Sequence, residues 1–275
     1  MRKIVTNLLL ITLTGGIMAL SIAGPELLAR YMDKGMLGKV HEVKDEAEGE
    51  GYRYTLSQGE KLYILSESLS SQVFPESEQY ALTSAGASGE YGEPEGNYAF
   101  VVNHRGPSGE EITDAQIYDT CNQGIETLKE LDILPGTVKT VEPDAYDAVL
   151  YSAIDVLEPR NNVAVWKIEM SNLQKNADKE NRLINAYIDA DDGRLYEFYV
   201  RTPRLWAEMD PDAMMDKWSE YMGLEQPVPY EAVNPLTETT PYFKKYVCTG
   251  PGDEKTIVTV GFYEGINELF IKISR

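Results

Sequence analysis

Histidine is almost missing from this sequence, which holds only His41 and His104. A histidine-based zinc site or a Ser-His-Asp triad would have to use one of these two. His104-Arg105-Gly106, at the expected exit of a strand, is the one plausible place, and an exposed loop histidine is the expected reading there. Cysteine is equally scarce. Cys121 and Cys248 sit in no CxxC motif, and their spacing leaves open either a disulfide in an oxidising compartment or two buried thiols. The patterns HExxH, GxSxG, GxxxxGK[ST] and GxGxxG are absent, which removes the motif-level case for catalysis or nucleotide binding. The expectation is a protein that is not an enzyme and carries no cofactor or metal.

Positive charge is also short: 25 Lys and Arg face 45 Asp and Glu, a formal net charge of −20. Counterion release would oppose binding of nucleic acid or anionic lipid by the main body, so neither is an expected partner of it. The acidity gives solubility, with a cation or a basic partner as the sharper reading. What is present is ordinary globular material. At 275 residues and 43% hydrophobic, the chain can build one large or two small domains with real cores. Eighteen tyrosines against six phenylalanines suit half-exposed sheet surfaces, where a ring packs and its hydroxyl stays wet.

The N-terminus points to a membrane. Ile4 to Ala23 is free of charge and follows Arg2 and Lys3. As a helix it would be roughly 30 Å long, the thickness of a bilayer core. We expect a signal anchor over residues 1–24, inserted through 4–24, that leaves the body outside the cytoplasm as a single-pass membrane protein. Cleavage near Ala23, after Ser21-x-Ala23, and secretion is the alternative. Arg30, Lys34 and Lys39 then form a juxtamembrane collar within a linker over 25–51.

The body reads as three segments: 52–106, 107–205 and 206–275. Ser57 with Glu60 is a capping-box pair, and Leu62, Leu65 and Leu69 follow at helical spacing, so 57–71 fits a helix as well as a strand. Residues 84–96 form an acidic Gly-rich loop, and Asn97 to His104 a strand with Tyr98, Phe100 and Val102 on one face. Asp114 to Leu134 is a helix with a stripe of Ile117, Cys121, Ile125, Leu128, Leu131 and Leu134, stopped by Pro135-Gly136. Strands follow at Ala148–Leu157, Val163–Met170, Arg182–Asp189 and Arg194–Thr202. Asn161-Asn162, with Asn at positive φ, and Asp192-Gly193 supply turns.

Asp210-Pro211 caps a second helix ended by Gly223. A Pro-rich connector over 226–241 leads to strands at Lys245–Thr249, Thr256–Tyr263 and Leu269–Ser274. The fold class is α+β, antiparallel sheets with packed helices. On the second helix, Met214, Met215, Trp218 and Met222, with nearby Trp206, make a Met/Trp-rich patch. Such a patch serves either a core or an adaptable partner-binding surface. Asp189-Ala190-Asp191-Asp192-Gly193 invites comparison with a calcium loop, but its glycine stands fifth rather than sixth and Glu197 is not at position twelve. It reads as a hairpin turn.

The segment VAVWKIEM, followed by INAYIDADDGRLYEFYV, resembles a PepSY-type unit. In that family a strand carrying an aromatic residue precedes a strand that ends in a "DA-x-x-G" turn, and a third strand follows. Here Trp166, Ile188-Asp189-Ala190 and Gly193-Arg194-Leu195 stand in those places, and Asp114–Leu134 stands where the leading helix belongs. The resemblance covers residues 112–202, although Val138 to Leu157 is longer than a minimal unit needs. It implies PepSY/cystatin-like packing and an extracytoplasmic module that binds or restrains another protein, a peptidase above all. The layout of anchor and acidic ectodomain is also similar to the membrane-tethered accessory proteins of envelope sensor kinases, of the YycH/YycI type. The expected function is therefore a non-enzymatic regulatory or protein-binding module whose partner is another envelope or membrane protein. An anchored small-ligand or cation binder is the first alternative, and a carboxylate-based envelope hydrolase the second.

Overall fold

In the computed structural model, residues 53–71, 97–109, 111–177, 180–230 and 242–275 are described. The expected anchor (1–24), the linker (25–51), His41, the acidic loop at 84–96 and connector residues 231–241 lie outside the described residues. Among the described residues no helix is long and apolar enough to cross a membrane.

The first described element is helix α1 (Gln58–Ser70), which settles 57–71 as helix. Ser57 starts it with both halves of the capping box: its main-chain N–H donates to Glu60 Oε2 at 2.7 Å, and Glu60 N–H donates back to Ser57 Oγ at 3.3 Å. Two orphan donors of the first turn are thus satisfied locally. Strand β1 (Tyr98–Val102), helix α2 (Ile117–Glu130), β2 (Tyr146–Asp155) and β3 (Asn162–Met170) come next. A short α3 (Asn172–Ala177) fills the polar break before β4 (Leu183–Asp189) and β5 (Leu195–Arg201). Helix α4 (Pro211–Met222) and strands β6 (Val228–Pro229), β7 (Phe243–Thr249), β8 (Lys255–Tyr263) and β9 (Glu268–Ser274) complete the described chain.

All nine strands join one sheet in the order β1-β2-β3-β4-β5-β9-β8-β7-β6, and every neighbouring pair is antiparallel. The fold is therefore α+β, with one sheet running through all three expected segments. Two meanders, β1–β5 and β7–β9, meet along a single seam where β5 pairs β9. That seam is short: its pairs run only from Phe198↔Ile271 to Arg201↔Glu268. Helix α1 lies against β1–β3 on one side of the seam and β8–β9 on the other. Leu62 and Leu65 of α1 are fully buried there, so the helix straddles the join between the two meanders.

Several boundaries differ from the sequence reading for local reasons. Helix α2 ends at Glu130, before Pro135-Gly136, because Asp132 turns left-handed at φ 56°. Ile133 and Leu134 N–H then both donate to Leu128 O, at 2.9 and 3.0 Å, and their side chains fold back into the core. Asp tolerates that conformation better than most residues, which lets it close a helix without glycine. The β2–β3 turn spans Val156–Asn161, and neither Asn161 nor Asn162 takes positive φ. Asp155 Oδ1 instead accepts from Leu157 and Glu158 N–H at 3.0 and 3.3 Å. The Pro-rich connector contributes the edge strand β6, which the sequence did not signal. Helix α4 matches its signals: Asp210 caps Asp212 and Ala213 N–H, and Gly223 closes it at φ 69°.

Cys121 and Cys248 are buried and free. Burial pushes both thiols up to about 12, so they act as small apolar side chains. The close packing of α2 on the β4–β5 hairpin rests on Gly124, where an added Cβ would overlap the buried side chain of Leu195. Gly124→Ala should therefore destabilise the fold by roughly 1–3 kcal/mol in urea unfolding despite alanine's better helix propensity. Gly136→Ala, which meets nothing within 4 Å, should leave the midpoint near that of the parent protein. Equal midpoints for the two variants would show that α2 does not pack this closely.

Candidate functional site

The β4–β5 turn is the densest meeting of ionisable groups among the described residues, and its shape follows from its sequence. Asp189 N–H donates to Arg194 O at 2.9 Å and Gly193 N–H to Asp189 O at 3.0 Å, with Gly193 at φ 76°. Two aspartates fold back on the main chain: Asp189 Oδ1 accepts from Asp191 N–H at 2.8 Å, and Asp192 Oδ1 from Arg194 N–H at 3.1 Å. Such Asx contacts are why Asp and Gly concentrate in turns. A Cβ on Gly193 would press on Thr120 of α2, so helix and turn fit only with glycine there.

The acids are neutralised from α1 and the segment that precedes it. Lys61 Nζ donates to Asp189 Oδ2 at 2.8 Å and Asp191 Oδ2 at 2.7 Å. Arg53 donates to Asp191 Oδ1 at 2.9 Å and also pairs with Glu111. Gln58 Nε2 donates to Asp192 Oδ2 at 2.7 Å. From below, the Tyr196 hydroxyl donates to Asp189 Oδ2 at 2.5 Å. Tyr196 reaches it because β5 bulges: Tyr187 pairs Glu197 and Ile188 pairs Leu195, which leaves Tyr196 as the extra residue.

Burial sets the electrostatics. Asp189 is 0% exposed. Burial holds its carboxyl above the usual range, against the pull of the Lys61 charge and its hydrogen bond. Burial alone would lower Lys61, but Asp189 and Asp191 outweigh it and keep the ammonium above its ordinary value. Asp191, opposed by burial, is held low by Lys61 and Arg53. Tyr196 is driven well above its ordinary value by burial and by Asp189. The result is a charged, hydrogen-bonded latch in which Lys61, Asp189, Asp191 and Tyr196 are committed to one another.

Trp166 belongs to the same construction. Its indole N–H donates to Ile112 O at 2.8 Å, and Ile112 N–H donates to Ala190 O at 2.7 Å. The segment entering α2 is thereby stitched to the turn. Trp218 of α4 closes the other side, donating to Leu195 O at 3.2 Å, while Tyr221 OH accepts from Leu195 N–H at 3.0 Å.

The Met/Trp-rich patch is not a surface in this structure. Met214, Met215, Trp218 and Met222 are all buried, because α4 lays this face on the sheet. Trp206, in a 3-10 turn (Trp206–Glu208), is half-buried against the same core. Met214, Met215, Trp218 and Met222 therefore pack as core, and Trp206 keeps part of its surface exposed. His104 sits exposed in the turn after β1. Arg53, Gln58, Lys61, Glu111 and Tyr196 escaped the sequence reading. Lys61 adjoins the Leu62, Leu65, Leu69 stripe, and nothing local tells a buried lysine from a solvated one.

Lys61→Met should leave Asp189 buried without its cation, at a cost of about 3–5 kcal/mol. Glu126→Ala, which breaks the solvent-facing pair with Lys129, should cost only about 0–1 kcal/mol. Urea unfolding at neutral pH compares them, and similar small losses in both would mean the latch contributes nothing special.

No protein-family model, curated protein or solved structure matches this chain.

Proposed function

We propose that this chain is a membrane-anchored extracytoplasmic module that binds and regulates another envelope or membrane protein. The observation that carries the reading is the latch. Helix α1 and the segment leading into it are ion-paired to the central hairpin of the sheet, through Lys61 and Arg53 on Asp189 and Asp191. Such a joint suits a binding scaffold, because it commits the turn's carboxylates to holding α1 on the sheet.

The charge-free run Ile4 to Ala23 supports the anchor. The PepSY-like pattern in Trp166, Asp189-Ala190 and Gly193 supports a restraining or regulatory role, with a peptidase or a sensor kinase as the kind of partner. The acidic balance of −20 favours a partner with a basic face. Ion-paired carboxylates at the turn are committed to structure rather than to proton transfer.

The test uses the full chain in its native membranes. It should stay with the membrane after alkaline extraction, its body should be digested by protease added from outside, and in-situ crosslinking should give one discrete adduct with an envelope protein. Release by alkali would overturn the anchor. No adduct, together with turnover in an unbiased hydrolase screen, would overturn the regulatory reading.

A further inference from the structure

The β5–β9 seam ends in an unusual way. Continuing its register past Phe198↔Ile271 would place Ile273 opposite Tyr196, but the bulge has turned Tyr196 towards Asp189. Ile273 N–H donates instead to the side chain of Glu197, at 3.0 Å from Oε2. A carboxyl group takes the place of a main-chain carbonyl where two meanders separate. Glu197 is only 5% exposed, which is rare for a glutamate that faces no buried cation.

We propose that Glu197 is a proton-responsive clasp on this seam: its neutral carboxyl holds β9 where the main-chain ladder has stopped, and its ionisation loosens that end of the join. Burial favours the neutral form, against the Ile273 N–H, Lys272 and the Tyr199 hydroxyl. Tyr187 of β4 stands directly across from Glu197, and its hydroxyl, like that of Tyr199 on β5, is pushed up by burial and by the Glu197 charge. Lys167 pairs with Tyr187 one strand further out, with Glu169 two residues along β3. Lys167 and Lys175 both bond Glu169, at 2.7 and 2.6 Å, so their charges are paired there.

On β9, exposed Lys272 is the one nearby cation acting on Glu197, and Glu268 and Tyr263 face Tyr199. Beyond the bulge, Lys61, Asp189 and Asp191 neutralise one another. Burial therefore wins over the Ile273 N–H, Lys272 and Tyr199, and lifts the carboxyl from 4.5 to about 7. The sign follows. Below 4.5 the acid is neutral both in place and exposed to water, so it contributes no pH dependence. As pH rises through the interval to about 7, water favours the ionised form while the buried site resists it. Closure of the seam is thus progressively disfavoured, and above about 7 the charge itself is buried and opening relieves it.

Hydrogen–deuterium exchange of the full chain, corrected for intrinsic rates, reads the clasp at Ile273. Protection there should fall roughly tenfold between pH 6 and 8.5, while Glu197→Gln keeps its protection at both values. Protection that is independent of pH in the unaltered protein, or that falls equally in the variant, would overturn the proposal. Should the variant not fold, carbon-13 titration of the Glu197 carboxyl decides: a midpoint near 7 supports the clasp, and one near 4.5 removes it.

Discussion

A buried ion pair between Lys61 and Asp189 is the contact on which the rest of the structure depends. Asp189 ends β4, Lys61 is on helix α1, which touches both meanders, and Tyr196 completes the cluster from the bulge in β5. Desolvating a carboxylate and an ammonium is expensive, and their attraction offsets that cost only with close geometry and satisfied lone pairs. Both conditions hold. Asp189 Oδ2 receives Lys61 and Tyr196 while Oδ1 receives the Asp191 N–H. An apolar pair would fill the space, but it would not fix the rotation of α1 against the turn. The contact therefore specifies where α1 sits as much as it stabilises the fold.

The bulge links this contact to the seam. Moving Tyr196 to Asp189 removes a main-chain acceptor from the β5–β9 ladder, and Glu197, the next residue, supplies a replacement for Ile273. One extra residue in β5 thus creates both the polar cluster under α1 and the carboxyl that closes the sheet. The two sites share a backbone feature but differ in chemistry. The first joins opposite charges, and the second holds a single acid among tyrosines.

Local signals in the sequence carried far. Asp210-Pro211 with Gly223, and the alternation around Trp166 and Tyr187, each placed an element, because caps and periodicity act within a few residues, whereas Ser57 with Glu60 left 57–71 open between helix and strand. The stripe of α2 also emerged, with Ile117, Cys121, Ile125 and Leu128 all buried. What escaped was tertiary. Lys61 and Asp189 are 128 residues apart, and no local pattern tells a lysine that its partner is across the fold. Joining of the two meanders into one sheet depends on four residue pairs of β5 and β9 and carries no signature. The Met/Trp patch on α4 reads alike as core or surface until the sheet beneath it is known. The Asp-rich turn was legible as a turn, but its cations were not.

The central claim is that Lys61 and Asp189 act as one unit. A double-mutant cycle with Lys61→Met, Asp189→Asn and the double variant, by urea unfolding at neutral pH, measures that directly. The account predicts a coupling of roughly 1–3 kcal/mol, the double variant being less damaged than the two losses summed. Losses that add to within about 0.5 kcal/mol would contradict it.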